Sequence, residues 1–400
     1  MLNLLDSIPN VLLLGAGPSC CAPSTYHALA CPTLSHMDPY FIKIMDEIKS
    51  YLQQLMNTTN ELTVPLSTSG SGGMEATFVN IVEKGDKILV LENGSFSERM
   101  IDVAGRLGAE VTALHYTWGT PIDVDEVAAQ LKKDHYKAVA MVYAETSTGI
   151  LNPMEEIGAL VKNTDTLLLV DAVPALGGIP IKVDEWGIDI CYSGSQKCLS
   201  CPPGLSPITV SPKAIEVIKN RKTKVPNWYL DMNMIMGYWG GGQSRVYHHT
   251  APVNMIYGLY QALYNIFEEG VDKVFARHMD AHHRLIAGIE ELGWELLVED
   301  ERYRLPVVNA VKIPAGVDAA AFRQLFQRSG NRTADSAVLS PVEHIHAAYH
   351  DQPVTENIAR FLRIGGNAPA VSADTKGYTL AVLVVSSFKN LFTDGKYPFG

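Results

Sequence analysis

Between residues 60 and 210 the chain alternates between two hydrophobic rhythms. Short runs rich in Val, Ile and Leu are separated by longer segments whose apolar residues recur every three or four positions. The runs "DKILVLENG" (86–94), "EVTALHY" (110–116), "KAVAMVYAE" (137–145), "TLLLVDAV" (166–173) and "GIDICYSGS" (187–195) predict strands. The segments "SERMIDVAGRLGA" (97–109), "DVDEVAAQLKK" (123–133) and "MEEIGALVKN" (154–163) predict helices between them, the second with an Asp-rich start that suits a helix N-terminus. Strands without a polar face, alternating with helices, call for a parallel sheet covered on both sides.

Ahead of this region, 39–57 places Phe41, Met45, Ile48, Leu52 and Leu55 at helical spacing. Behind it, 253–269 and 271–292 read as two long helices, and 307–326 as strand, turn and helix. The expected organisation is therefore an N-terminal arm over 1–20, a large α/β domain over 21–265 and a smaller α+β domain over 266–400. The large domain would carry a mainly parallel central sheet flanked by helices. The stretch 329–360 has no clean period, and irregular structure is expected there.

Composition narrows the class. A chain of 400 residues suits two domains, and 47% hydrophobic residues can bury a large core. A net charge of -11 argues against nucleic acid as a partner. The six cysteines are Cys20, Cys21, Cys31, Cys191, Cys198 and Cys201, and so long a chain needs no disulfide staples, so free thiols in a reducing compartment are expected. Cys198 and Cys201 form a C-x-x-C with no second ligand pair, and Pro202-Pro203 follow at once, so they read as packing residues and no metal is expected. No run reaches the roughly 18 apolar residues of a spanning helix, and the start lacks the basic segment of a signal peptide. A cytoplasmic protein without a membrane partner is expected.

The chemistry starts from Lys197, in "CYSGSQKCLSCPPGLS" (191–206). Lysine is strongly hydrated, yet this one stands where an apolar strand ends. Parallel sheets bind ligands at the carboxyl ends of their strands. Three other features belong at those ends. In "STSGSGGMEA" (67–76), Ser69, Gly70 and Ser71 precede an apolar helix, so backbone N–H groups and hydroxyls can cradle an anion. Phe96 follows the 86–94 run, and Asp171 follows "TLLLV". Taken singly these are a plain connection, a core aromatic and a turn cap. Together with the lysine they meet the needs of one ligand, pyridoxal 5′-phosphate (PLP). The amine forms a Schiff base with its aldehyde, the carboxylate pairs with the pyridinium nitrogen, the aromatic stacks on the ring and the cradle holds the phosphate. Lys197 is placed there because partial desolvation makes its amine nucleophilic near neutral pH.

On these residues the sequence resembles the class V aminotransferases of PLP fold type I, in their alanine–glyoxylate/serine–pyruvate branch. The matching motifs are "SIPNVLLLGAGPS" (7–19), "SGSGGMEA" (69–76), "AETSTGILNP" (144–153), "LLLVDAVPALGGIPI" (167–181), "DICYSGSQKCLSCPPGLS" (189–206), "YHHTAPV" (247–253) and "RLPVVNAVKIPAG" (304–316), in family order. The resemblance implies a homodimer with active sites at its interface. It implies Lys197 as the Schiff-base lysine and proton carrier, Asp171 at the pyridine nitrogen, and Ser69, Gly70, Ser71 and Gln196 at the phosphate. Phe96 takes the stacking position, Thr146 contacts the ring's phenolic oxygen, and Tyr247 and Thr250 reach the partner subunit's phosphate. Gly17 lines the substrate mouth. The substrate-carboxylate arginine falls at Arg363 in "FLRIGGNAP", with Arg360 as its rival. The segment 327–360 is longer than the family's and lacks its Gly-rich stretch, and the tail is unlike its closing helix. The activity implied is transfer of the amino group of alanine or serine to glyoxylate or another small 2-oxo acid. The alternatives are a pyridoxamine–pyruvate, ureidoglycine–glyoxylate or aminoethylphosphonate transaminase, or a PLP lyase. A non-catalytic dimer of this fold would drop the lysine or the aspartate, and both are present.

Overall fold

The five apolar runs become five adjacent strands of a seven-stranded sheet, four of them inner and the run at 110–116 at its edge. The structure is a computed structural model that describes residues 3–8, 12–13, 15–240 and 245–312, together with the strands Asn331–Arg332, Val342–Tyr349 and Leu380–Ser387. Across the large sheet the strands run Leu62–Leu66, Ser206–Val210, Ile190–Tyr192, Leu167–Asp171, Ala138–Val142, Lys87–Glu92 and Glu110–His115. Neighbours are parallel except at Ser206–Val210, which is antiparallel to both strands beside it. Leu62–Leu66 therefore points the same way as the parallel set. Leu167–Asp171 and Ala138–Val142 are buried at every residue, as expected of strands covered on both faces.

Two members of the sheet were not anticipated, Leu62–Leu66 and Ser206–Val210. Each contains a proline, and Pro65 pairs with Pro207 across the ladder. A proline inside a short apolar run argues against a strand because it removes a ladder donor. Here Pro207 still contributes its carbonyl, which accepts from Ser193 N–H at 2.8 Å.

The helices follow the sequence pattern closely. Pro39–Leu55 opens on Asp38, whose Oδ1 accepts from Tyr40 N–H at 2.8 Å, and Pro39 fits the first turn because its missing N–H would find no partner there. Its stripe of Phe41, Met45, Ile48, Leu52 and Leu55 is buried. Ser95–Arg106, Val124–Lys133 and Met154–Val161 occupy the helical segments between strands. Asp123 caps the second, accepting from Asp125 and Glu126 N–H. Val253–Glu269 and Val271–Glu291 are the two long helices, meeting at Gly270. No helix among the described residues is long and apolar enough to cross a membrane.

Towards the C-terminus one expectation fails. The strand Val308–Lys312 appears as predicted, and the rest of 307–326 lies outside the described residues. It pairs antiparallel with Leu380–Ser387, which pairs parallel with Val342–Tyr349. Asn331–Arg332 pairs with Leu12–Leu13. The stretch 329–360 thus contains strand rather than only irregular chain. Its local pattern is weak because "VEHIHAAY" is ordered by pairing with the apolar "LAVLVVSS", a partner remote in sequence.

Strand direction places the chemistry. The turns after Leu66, Glu92, Val142, Asp171 and Tyr192 all leave at one sheet edge, and the loop that returns into Ser206–Val210 ends there too. Asp171 is the register partner of both Val142 and Tyr192, so it stands in the middle of that edge.

Candidate active site

Lys197 sits on the loop that leaves Tyr192 and returns at Ser206. Ser195 ties the loop across its base: its N–H donates to Leu205 C=O (3.0 Å), its hydroxyl to Pro202 C=O (2.7 Å), and its own carbonyl accepts from Cys201 N–H (3.1 Å). The N-terminal arm closes over the loop. Ser19 donates its N–H to Gln196 C=O at 2.9 Å and its hydroxyl to Lys197 C=O at 2.7 Å. The amine of Lys197 donates to Ala16 C=O. Burial lowers its proton affinity, with the Cys198 thiol and the Asp171 carboxyl pulling the other way, and the outcome is a pKa of about 8. The arm can approach this closely because residue 17 is glycine. A Cβ at Gly17 would stand 2.7 Å from Lys197 Nζ, and the backbone φ of +130° is one that other residues rarely adopt.

Asp171 ends its strand with only 2% of its surface exposed, and its Oδ1 accepts from Val173 N–H at 2.8 Å. Burial drives its pKa up to about 7, against the pull of the Val173 N–H and the Lys197 charge. A carboxyl in this position holds a proton of its own or needs a cationic N–H partner. A protonated pyridine nitrogen is such a partner.

The anion cradle lies beside it. Ser69 precedes the helix Gly70–Ile81 and does not spend its hydroxyl on the helix's own N–H groups. The helix start is packed against the turns that follow Asp171 and Tyr192: a Cβ on Gly70 would meet Val173 Cγ2 at 3.2 Å and Gly194 Cα at 3.6 Å. Ser71 is exposed at the first turn. Gln196 Oε1 is buried without a hydrogen-bond partner and calls for a donor; it is the NH2 half of the same amide that can donate to a phosphate. A helix N-terminus, two free hydroxyls and a buried amide fit a phosphate. The donor set as a whole fits PLP.

Phe96 lies in the first turn of Ser95–Arg106, partly buried, with the Arg99 guanidinium carbon 4.7 Å from its ring centroid. Thr146 is buried in the turn between Ala144–Glu145 and Ile150–Leu151. The structure therefore brings Ser69, Gly70, Ser71, Phe96, Thr146, Asp171, Gln196, Lys197 and Gly17 to one sheet edge. Tyr247 and Thr250 flank His249, whose Nε2 meets the Ser67 hydroxyl at 2.8 Å beside the cradle. The hydroxyls of Tyr247 and Thr250 meet at 3.3 Å, the Tyr247 ring lies 5.0 Å from that of His36, and both residues are exposed. Arg360 and Arg363 lie outside the described residues. All six cysteines are free, and Cys198 and Cys201 are both buried.

One residue at this edge went unnoticed in the sequence. Glu145 is fully buried and accepts hydrogen bonds from the turns on either side of it. It sat inside "KAVAMVYAE" as the end of a strand. The signal was the one that marked Asp171, a carboxylate directly after an apolar run.

The fold and the edge define a PLP-dependent enzyme of fold type I. The chain belongs to the class V aminotransferases: the profile of the family described as "Aminotransferase class-V" matches residues 24–334. Among its relatives is the alanine–glyoxylate aminotransferase of Drosophila melanogaster, 37% identical over 340 residues that cover 84% of this chain and 86% of the relative. The crystal structure of alanine–glyoxylate aminotransferase from Nostoc sp. is similar with a TM-score of 0.83 and 38% identity, covering 90% of this chain and 96% of that one. The ureidoglycine–glyoxylate aminotransferase of Bacillus subtilis is similar with a TM-score of 0.83 and 30% identity, over 91% of this chain and 96% of its own.

Proposed function

We propose that this enzyme moves the amino group of alanine or serine to glyoxylate or another small 2-oxo acid. The observation that carries the reading is the convergence of a partly buried, readily deprotonated Lys197 with a buried Asp171 at one sheet edge. The relatives' names point to glyoxylate more firmly than to the donor, because both the alanine and the ureidoglycine enzymes share it. Ureidoglycine as donor is for that reason the second reading. A screen of alanine, serine and ureidoglycine against glyoxylate and pyruvate separates them. Turnover with none of these pairs overturns both.

Bound PLP supplies an electron-accepting ring that eases removal of the proton from an amino acid's Cα. The protein's residues do the rest. Lys197 Nζ holds the cofactor and then carries the proton. Asp171 keeps a proton on the ring nitrogen. Ser69, Gly70, Ser71 and Gln196 bind the phosphate, Phe96 lies against the ring, and Thr146 contacts its phenolic oxygen. Gly17 lines the mouth. Arg363, with Arg360 as its rival, holds the substrate carboxylate, where a guanidinium fork gives two parallel hydrogen bonds. The large domain over 21–265 carries the cofactor, and 266–400 forms the smaller domain.

A homodimer completes the site in this reading. The exposed Tyr247 and Thr250 are free to reach a second subunit, and His249, between them, ties their segment to Ser67 at the cradle (2.8 Å). Sedimentation of the loaded enzyme is expected to show a dimer, and a monomer retaining the cofactor at full affinity contradicts this.

Cofactor capture has a predictable pH dependence. Only the neutral amine of Lys197 is nucleophilic, and its pKa is lowered to about 8. The rate of capture by the cofactor-free protein should rise about tenfold per pH unit below that value and level off above it. A rate still climbing at about pH 10, the range of an ordinary lysine, contradicts the assigned environment.

A further inference from the structure

We infer that Glu145 is the positioning residue for the aromatic that stacks on the cofactor: its carboxylate clamps the backbone of the Phe96 turn to the sheet edge and so sets where the ring lies. The inference rests on the stacking role proposed for Phe96 above.

The clamp has two jaws. Glu145 Oε2 accepts from Phe96 N–H and Ser97 N–H, both at 3.2 Å. Glu145 Oε1 accepts from Ser147 N–H at 3.0 Å and from the Ser147 hydroxyl at 2.6 Å. That hydroxyl in turn accepts from Ser95 N–H at 2.9 Å. The first three N–H groups of the helix Ser95–Arg106 are therefore held by Glu145, directly or through one hydroxyl. A helix usually satisfies these groups with its own N-cap side chain. Here the N-cap is Gly94, which has no side chain to offer. A Cβ at Gly94 would stand 2.3 Å from Glu145 Cγ and 2.5 Å from Cδ, so the glycine is what admits the carboxylate.

Burying a carboxylate is costly, and a Ser or Asp at the N-cap would satisfy the helix more cheaply. What the remote carboxylate adds is registration. It ties the turn after Lys87–Glu92 to the turn after Ala138–Val142, so Phe96 is fixed relative to the edge that carries Thr146 and Asp171 rather than only to its own helix. Both oxygens receive only N–H or O–H donors. An amide in place of the carboxylate would turn an NH2 group against one pair of them, releasing that jaw.

The test is a double-mutant cycle on PLP binding with Phe96→Ala, Glu145→Gln and the pair. The readouts are the PLP dissociation constant and the induced circular dichroism of bound PLP, which reports a fixed ring orientation. Phe96→Ala is expected to weaken binding by about threefold to tenfold through loss of stacking. Glu145→Gln is expected to weaken it by a similar factor and to reduce the dichroism, and the pair should bind no more weakly than the weaker single variant. Wild-type binding and dichroism in Glu145→Gln, or a full multiplication of the two factors in the pair, overturns the inference. Undiminished binding by Phe96→Ala overturns the stacking role itself and the inference with it. If Glu145→Gln does not fold, Ser147→Ala, which removes the hydroxyl of one jaw, takes its place in the cycle with the same expectations and the same refutations.

Discussion

Lys197→Ala is expected to leave a folded protein that binds PLP without its covalent hold and turns over at least about four orders of magnitude more slowly. The size follows from two losses at one atom. Nζ is the nucleophile that captures the cofactor, and it is the base placed to move the substrate proton. Folding should not suffer. The amine's proton affinity is lowered by burial, which means the folded state disfavours its charge. Removing it also removes the hydrogen bond to Ala16 C=O, so the melting temperature of the cofactor-free protein is expected to change little. Measured kcat in single and multiple turnovers checks the first part and thermal unfolding the second. Turnover within tenfold of wild type removes Lys197 from its role.

Asp171→Asn tests the other half of the electronics. The substitution is nearly isosteric, and an amide oxygen can still accept from Val173 N–H, so the turn is kept. What is lost is the carboxylate that keeps a proton on the ring nitrogen. Without it the ring is a poorer electron sink, and kcat should fall by about two to four orders of magnitude with little change in the fold. The same variant carries a pH signature in the cofactor-free protein. Burial raises the Asp171 pKa from 3.8 to about 7, so between those values the folded state binds more protons than the unfolded one. That contribution to stability is complete below about pH 4 and is lost as the pH rises through 7, a change on the order of 4 kcal/mol. Asp171→Asn should flatten this part of the stability curve. Equal slopes for variant and wild type, by denaturant unfolding across the window, contradict a carboxyl whose proton affinity is raised by burial.

Much of this was written in the hydrophobic pattern, and the exceptions have physical reasons. Strands such as Leu167–Asp171 announce themselves because both faces are buried and every position is apolar. Asp171 and Lys197 then stand out as charges at the ends of such runs. Ser206–Val210 and Leu62–Leu66 are hidden by Pro207 and Pro65, which look like breakers and in fact face each other across the ladder. Glu145 was concealed in a different way. Its donors come from residues 96, 97 and 147, and local spacing does not reveal that the turns of two neighbouring strands meet around one carboxylate. Val342–Tyr349 is a strand by virtue of its partner Leu380–Ser387, not its own period. Tyr247 and Thr250 owe their proposed role to the family resemblance. In a single chain they are exposed side chains bonded to each other.

The central claim is that Lys197 holds the cofactor. Borohydride treatment of the PLP-loaded enzyme fixes the cofactor to whichever lysine bears it, and peptide mass mapping then locates the added mass. One labelled peptide is expected, the one containing Lys197, with no label in Lys197→Ala. A label on any other lysine, or an active enzyme that takes up no label, would contradict it.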